Sequence, residues 1–469
     1  MLSDVVHLHR SRSLETGRRS GTPFTAAAFD VLFALLVERD RRNETLIWTD
    51  RERTMKRTIG LFAVAIVVLA LASARQARAD VITEWDEKGT AFVTPLTAAW
   101  GGPNMAQRAM TMVDVAMFDA VNAIDPRYRP FIAQAPAQSS ASKEAAAAVA
   151  AGTVLLSLVS ADSKTAADIR AALAAHLEAI APGDAKTLGI KIGQEAASSV
   201  IKKCETDGSD APDAYRPKTK PGVYIPTALT VGSVWPQMMP FVLKEPSQFR
   251  PAPPVALQSE EFARSYNELR EYGGKASTKR SPEQTETATF WLMVGPQAYH
   301  PLLRQICTKK ALSVVDCART MALGAISLTD AYITVYDAKY HYEFWRPITA
   351  IRNGDMTGNA NTPRDATWQP IADTPGHPEY PCAHCILSGA VTRVIELQLG
   401  GSALPELSMT SVTMPNVTHR WTTLEAFTQE VANARIWAGF HYRFSTVVGT
   451  EMGRKVGQYV VESALLPVR

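Results

Sequence analysis

The segment KYHYEFWRP at residues 339–347 places a lysine and an arginine seven residues apart and ends in a proline. Two further segments follow it, HPEYPCAHC at 377–385 and ARIWAGFHYRFS at 434–445. Guanidinium groups bind the oxygens of phosphate-like ions bidentately, and a lysine adds a point charge. The segments therefore predict a pocket for a tetrahedral or trigonal-bipyramidal oxyanion. Its candidate residues are Lys339, Arg346, His384, Arg435 and His441.

The spacing of these residues suggests how their side chains converge. Seven residues are close to two helical turns, so Lys339 and Arg346 share a face if residues 330–346 are helical. Pro347 would then mark the end of that helix, because the residue before a proline is pushed out of the α region. On a helix, Arg435 and His441 diverge by about 120° yet can point into one cavity.

Composition and charge limit the class of protein. The chain has 469 residues, 46% of them hydrophobic and 20% charged, enough for one large or two medium globular domains. A net charge of +3 without a basic run predicts no nucleic-acid partner. Five cysteines are too few for a disulfide scaffold. Cys307 and Cys317 could pair in an oxidising compartment, but spacing alone does not decide this.

The N-terminal region has the pattern of a secretory signal peptide preceded by an unrelated extension. After Met55 come a basic pair, an apolar run from Ile59 to Ala74, and an A-x-A cleavage site at 77–79. We expect residues 1–54 to be a disordered upstream misannotation, 55–79 the signal peptide and 80–469 a secreted or periplasmic chain without a transmembrane domain. The alternative is an uncleaved N-terminal anchor, which the short apolar run disfavours.

The remaining chain predicts an all-α fold, a helical bundle with long loops around the active site. Apolar residues recur at helical spacing, and no stretch shows the sustained alternation of a strand. Residues 210–256 interrupt the pattern with prolines and large aromatic residues. We expect an ordered loop that helps to wall the pocket rather than a linker, since linkers seldom carry so many apolar residues.

At these motifs the sequence resembles the vanadium-dependent haloperoxidases and their relatives in the type 2 phosphatidic acid phosphatase and bacterial acid phosphatase superfamily. The superfamily pattern is K-x6-R-P, then P-S-G-H, then S-R-x5-H-x3-D. In this chain the pattern is met by Lys339, Arg346 and Pro347, by Pro381 and His384, and by Arg435 and His441. The resemblance covers the last third closely and implies the helical fold of the haloperoxidases, with the site motifs within 339–441.

The resemblance also implies roles for the site residues. His441 would be the ligand of vanadate in a haloperoxidase or the nucleophile in a phosphatase, and His384 the acid–base group. Lys339, Arg346 and Arg435 would hold the equatorial oxygens. Two further contacts are expected from Cys382 and from the backbone N–H of Ala383, near the start of a helix that favours an anion. His377 would be a further pocket residue of the kind found in bromoperoxidases.

Three positions depart from the superfamily pattern. Serine is replaced by Cys382, a weaker hydrogen-bond donor, and glycine by Ala383. The aspartate that orients the histidine is replaced by Ser445. Another acid could take its place, and Asp330 or Glu343 are candidates.

Several cysteines and histidines admit a simpler interpretation. The motif Cys382-Ala-His-Cys385 could be a redox pair or half of a zinc site, but there is no second C-x-x-C. A disulfide between the two would remove the Cys382 thiol from the pocket. His176 is expected to be a structural or surface residue, and His300 and His419 are expected to be surface or capping residues.

The sequence leads to three functional hypotheses. The first is an enzyme that oxidises halide with hydrogen peroxide, using vanadate as cofactor. The second is an acid phosphatase that acts on a phosphate ester through a phosphohistidine at His441 and needs no cofactor. The third is a non-catalytic oxyanion-binding protein, suggested by Cys382 and Ser445.

Overall fold

The computed structural model describes residues 81–132, 139–401 and 403–468. The chain divides into two compact units, Met1–Arg78 and Ala79–Arg469, and every described residue belongs to the second. The expected extension at 1–54 and signal peptide at 55–79 lie outside the described residues, so both stay predictions. No helix in the described ranges combines the length and apolar character needed to cross a membrane.

The described unit is built from helices joined by long loops, as predicted. The α-helices are α1 (Val81–Val93), α2 (Pro103–Ile124), α3 (Lys143–Ser157), α4 (Lys164–Glu178), α5 (Asp184–Cys204), α6 (Glu260–Tyr272), α7 (Pro282–Phe290), α8 (His300–Lys309), α9 (Val314–Tyr342), α10 (Pro347–Arg352), α11 (Ala383–Leu399), α12 (Leu424–Trp437) and α13 (Arg443–Ser463). Short 3-10 turns occupy Thr94–Leu96, Trp235–Gln237, Pro296–Ala298 and Gly354–Met356.

Helix α9 forms the axis of the bundle. The Ser313 side chain caps its N-terminus by accepting a hydrogen bond from the Asp316 N–H, and nearly every residue from Val315 to Lys339 is buried. Helices α11 and α13 approach closely on one side of it because glycines line their contact. A Cβ atom at Gly453 would lie 2.0 Å from the Ile386 carbonyl oxygen. This tight packing fixes the first turns of both helices, which carry site residues.

A β-hairpin departs from the all-α expectation locally. Strands β1 (Leu407–Ser411) and β2 (Met414–Trp421) pair antiparallel, with Leu407 opposite Trp421 and an irregularity between Thr410 and Ser411. The strands are too short and too polar on one face to give a periodic signal in the sequence. The predicted fold class, a helical bundle with long loops, is nevertheless confirmed.

The long segment 210–256 is an ordered loop, as expected. Trp235 is buried against the rings of Tyr332 and Tyr336 on α9. Asp330, also on α9, accepts three backbone hydrogen bonds from the loop residues Phe241, Val242 and Leu243 at 2.7 to 3.0 Å. A single buried carboxylate thus fastens the loop to the central helix.

Candidate oxyanion site

The first site segment folds differently from the continuous helix that its spacing suggested. Helix α9 ends at Tyr342, and Glu343 adopts a left-handed conformation with φ 48°. Arg346 is the N-cap of α10, and Pro347 begins that helix instead of ending the previous one. The expectation that Lys339 and Arg346 share a helical face is therefore wrong. The turn between the two helices, not a shared helical face, brings the two side chains close to the site.

In the third segment, too, the helix ends before the histidine. Helix α12 carries Arg435 and ends at Trp437, and His441 lies in the connection to α13. Gly439 makes this turn with φ +81°, and a Cβ atom there would lie 2.5 Å from the Gly273 carbonyl oxygen. The predicted 120° divergence on one helix therefore does not apply, because a glycine turn sets the direction of His441.

Lys339 and Arg346 are fully buried behind the site and hold its backbone in place. The Lys339 ammonium donates to the carbonyls of Pro378 and Glu379 at 2.9 and 2.8 Å. The Arg346 guanidinium donates to the carbonyls of His377 and Phe440 at 2.7 and 3.1 Å. Its Nη1 also lies 3.4 Å from His441 Nε2. These two cations therefore join the second and third site segments.

The acid that orients His441 is Glu379, which the sequence reasoning missed. Glu379 Oε1 lies 2.8 Å from His441 Nδ1 and accepts the backbone N–H of Tyr442 at 3.1 Å. A proton held on Nδ1 by this carboxylate leaves Nε2 as the free lone pair. Burial raises the pKa of Glu379 to about 7, against the lowering effect of Lys339 and Arg346.

The two acids suggested for this role are elsewhere. Asp330 binds the 210–256 loop through three backbone hydrogen bonds, and Glu343 forms an ion pair with Lys218 at 2.6 Å. Ser445, which replaces the superfamily's aspartate, is fully buried. The position of Glu379, two residues before Pro381 inside the second segment, was the available signal.

The remaining histidines of the site face the same cavity from two sides. His384 is the second residue of α11, and its Nε2 lies 3.1 Å from the Met293 carbonyl oxygen. The Tyr299 hydroxyl donates to the His384 carbonyl at 3.1 Å. His377 Nδ1 lies 2.9 Å from Arg346 Nη2, so the expected pocket position of this histidine agrees with the structure.

Cys382 does not offer a thiol to the site, because it forms a disulfide with Cys385. Its sulfur accepts the Cys385 N–H at 3.2 Å and so caps helix α11. The next residue, Ala383, lines the cavity at the first position of the helix. The disulfide between Cys307 and Cys317, which the sequence left open, is not formed, and Cys307 Sγ donates to the Cys317 carbonyl at 3.6 Å.

The site opens into a cavity of about 460 Å³. Its polar wall contains the predicted residues His377, Ala383, His384, Arg435 and His441. The rest of the lining is mostly apolar and comes from α9, the 210–256 loop and neighbouring turns. These residues include Pro103, Val231, Leu292, Val294, Tyr332, Tyr336 and Phe440. Val231 confirms that the long loop helps to wall the pocket.

Burial lowers the pKa of every basic group in the site. Burial and the neighbouring Arg346 charge lower the pKa of Lys339 well below its usual value. Burial lowers the pKa of Arg435 to about 9, and Arg346 adds to that effect. The pKa values of His441 and His384 are also well below normal, chiefly through burial and then through the nearby arginines. Both histidines are therefore neutral in the ligand-free site.

The fold and this geometry describe a helical protein with a cluster of buried basic residues and histidines beside a cavity. The model of the VCPO second helical-bundle domain matches residues 319–468. Vanadium chloroperoxidase from Curvularia inaequalis is 28% identical over 147 residues, which are 27% of this chain and 24% of that protein. The match thus spans about a quarter of the length of the curated relative.

Solved structures with the same fold cover most of the chain. The first bacterial vanadium-dependent iodoperoxidase structure aligns with a TM-score of 0.71 and 22% identity, over 82% of this chain and 98% of the other. A holo-type bacterial vanadium-dependent chloroperoxidase aligns with a TM-score of 0.66 and 17% identity, over 79% and 93%. The last third of the chain is thus similar in sequence to vanadium chloroperoxidase, and the described chain shares the fold of these solved structures.

Proposed function

We propose that this protein is a vanadate-dependent haloperoxidase, an enzyme that oxidises halide with hydrogen peroxide in the cavity beside His384 and His441. The observation that carries the proposal is the charge imbalance of the site. Three buried cations, Lys339, Arg346 and Arg435, stand against one buried carboxylate, Glu379, among the described residues of the site. A multiply charged oxyanion would restore the balance.

The residues present fit vanadate. Arg435 Nε is buried and has no hydrogen-bond partner among the described residues, although Nη1 of the same side chain donates to the Trp291 carbonyl at 2.5 Å. An unused guanidinium N–H at a cavity wall is a donor for an anion. His441 Nε2 is left unprotonated to act as a ligand because Glu379 engages Nδ1, and Arg346 Nη1 lies at a long 3.4 Å from it. Ala383 would contribute its backbone N–H at the start of α11.

When bound, vanadate would supply the activation of hydrogen peroxide toward halide. The chain's own residues then have three tasks. Glu379 orients His441 and fixes its tautomer. Arg435 at the cavity wall would bind the anion, and the charges of Lys339 and Arg346 behind the cavity would help to neutralise it. His384, neutral in the ligand-free site, can accept a proton from entering peroxide and return it later. The apolar wall limits the access of water to the site.

A phosphatase of the same superfamily remains the second candidate, supported by the same free Nε2 on His441. The two activities are expected to respond differently to vanadate and phosphate. A haloperoxidase brominates a phenolic dye with peroxide only when orthovanadate is added, and phosphate competes with the vanadate. A phosphatase hydrolyses an aryl phosphate, and vanadate inhibits it. Both assays on the chain from residue 80 onward, with His441→Ala and the exposed His341→Ala as control, separate the two.

A pocket that binds vanadate but catalyses neither reaction would support the third hypothesis, a non-catalytic oxyanion-binding protein.

Secretion or periplasmic location is also proposed, on the signal-peptide pattern of residues 55–79. N-terminal sequencing of the native protein tests it. A mature chain that begins near residue 80 is expected, and any residue from 1–54 in that chain would contradict it.

A further inference from the structure

A second buried polar cluster lies between helices α1, α2 and α8, apart from the oxyanion cavity. Asp86 on α1, Asp114 on α2 and His300 at the start of α8 each offer a ligand atom, and these atoms lie within 4.8 Å of one another. All three side chains have zero exposure. His300 was expected at the surface or at a cap, and that expectation is wrong. Full burial of two carboxylates requires a compensating charge or a bound proton.

Asp86 has such compensation, and Asp114 does not. Asp86 receives the Arg304 guanidinium at 2.6 Å on one oxygen and lies 2.6 Å from His300 Nδ1 with the other. Neither oxygen of Asp114 has a hydrogen-bond partner among the described residues. Its Oδ2 points toward His300 Nδ1 at 3.6 Å. The carboxylate is therefore aimed into the cluster with nothing bound to it.

The contact made by the second ring nitrogen of His300, Nε2, explains how Nδ1 could serve as a ligand. His300 Nε2 lies 3.0 Å from the side-chain amide of Gln107, and the amide oxygen Oε1 of Gln107 is buried with no partner among the described residues. Exchange of the amide oxygen and nitrogen would let Oε1 accept a proton from Nε2. The lone pair of His300 would then lie on Nδ1, between Asp86 and Asp114.

We propose that Asp86, Asp114 and His300 bind a structural divalent cation of the Mn²⁺ or Zn²⁺ type. Two carboxylate oxygens and one imidazole nitrogen suit these ions, whereas Mg²⁺ and Ca²⁺ prefer oxygen ligands alone. The Asp86–His300 separation of 2.6 Å is that of a hydrogen bond, so the two atoms move apart by a few tenths of an ångström on binding. Arg304 remains as the outer partner of Asp86.

The site has a direct structural connection to the oxyanion pocket. His300 begins α8, and the preceding residue, Tyr299, donates its hydroxyl proton to the His384 carbonyl. A cation on His300 therefore fixes the turn that supports one wall of the pocket. The cation would act on stability and on the position of His384, not on the halide chemistry.

Asp114→Asn tests the proposal, because a bound cation and an unoccupied cluster predict opposite results. With a cation, the purified full chain contains about one Mn²⁺ or Zn²⁺ per molecule by elemental analysis. Chelator treatment then lowers Tm, and readdition of that ion raises it by about 2 to 5 °C. The substitution would abolish the metal content and lower the Tm of the protein as isolated.

Without a cation, Asp114→Asn removes an uncompensated buried carboxylate, so its Tm is unchanged or higher. That result, together with no metal in the wild-type protein and no Tm response to either ion, would overturn the proposal. Glu87→Gln, at the exposed neighbour of Asp86, is the matched control and should behave as wild type. The test needs neither vanadate nor an activity assay, so it is independent of the proposed enzymatic function.

Discussion

Glu379 is the residue that sets the orientation and the tautomer of His441. The superfamily pattern has an aspartate four residues after the histidine, and this chain has the neutral Ser445 there. The carboxylate comes instead from the segment before α11 and reaches the same imidazole nitrogen. The carboxylate that orients this histidine thus comes from another position in the chain, which a comparison of motif spacing alone does not reveal.

Glu379→Gln should weaken vanadate binding and turnover together. The amide keeps the volume and can still accept a hydrogen bond from His441, but it removes the negative charge that stabilises the ligating tautomer. Loss of such an outer partner typically costs about 10- to 100-fold in affinity or activity. Vanadate titration and the bromination assay measure both quantities. Glu343→Gln, which removes only a surface ion pair with Lys218, should leave them unchanged, and equal effects of the two variants would refute the role of Glu379.

The Cys382–Cys385 disulfide should contribute modestly to stability. It closes a very short loop, for which the loss of chain entropy in the unfolded state corresponds to about 2 kcal/mol. We expect Cys385→Ser to lower the free energy of unfolding by roughly that amount in urea titrations. Because the bonded sulfur of Cys382 caps α11, the same variant should also reduce vanadate affinity. An unchanged affinity would show that the disulfide bond, as opposed to the Cys382 sulfur alone, does not position the helix start.

At the scale of elements, the 210–256 loop depends on one carboxylate. Asp330 accepts three buried backbone N–H groups, each of which would otherwise lose its partner. Asp330→Ala should therefore destabilise the protein by about 3 kcal/mol or more. It should also impair activity, since the loop carries Val231 of the cavity wall. Chemical denaturation measures the first effect. Asp213→Ala, at an exposed aspartate of the same loop, provides the control, and equal losses in both variants would contradict the anchor.

The β-hairpin gives the protein a pH-dependent contact. Burial opposes protonation of His419, but the hydrogen bond and charge of Glu430, with the charge of Glu286, raise its pKa. The raised pKa means that the stabilisation is fully present below the unfolded pKa of about 6.5. It is lost as the pH rises through the higher folded pKa. The Tm difference between wild type and His419→Gln should therefore shrink between pH 6 and pH 9, and a constant difference would contradict this assignment.

At the scale of the whole molecule, the sequence predicted the helical fold and the residues that meet at the site. Helical periodicity is repeated over many turns, so the predominantly helical class could be predicted from the sequence. The turn after α9 and the glycine turn before His441 could not be predicted. The left-handed conformation of Glu343 and the packing of Gly439 against Gly273 are set by tertiary contacts. Glu379 was missed for the same reason, since no spacing rule links it to a histidine 62 positions away.

The central claim is that three buried cations and two neutral histidines form a binding site for vanadate. Equilibrium titration of the metal-replete protein with orthovanadate, in competition with phosphate, tests it most directly. We expect one vanadate per chain, displaced by phosphate, with binding reduced at least about 100-fold in Arg435→Gln because a buried charged partner of the anion is lost. The exposed Arg420→Gln should bind as wild type does. Absence of saturable binding in the folded wild-type protein, or equal binding in both arginine variants, would contradict the claim.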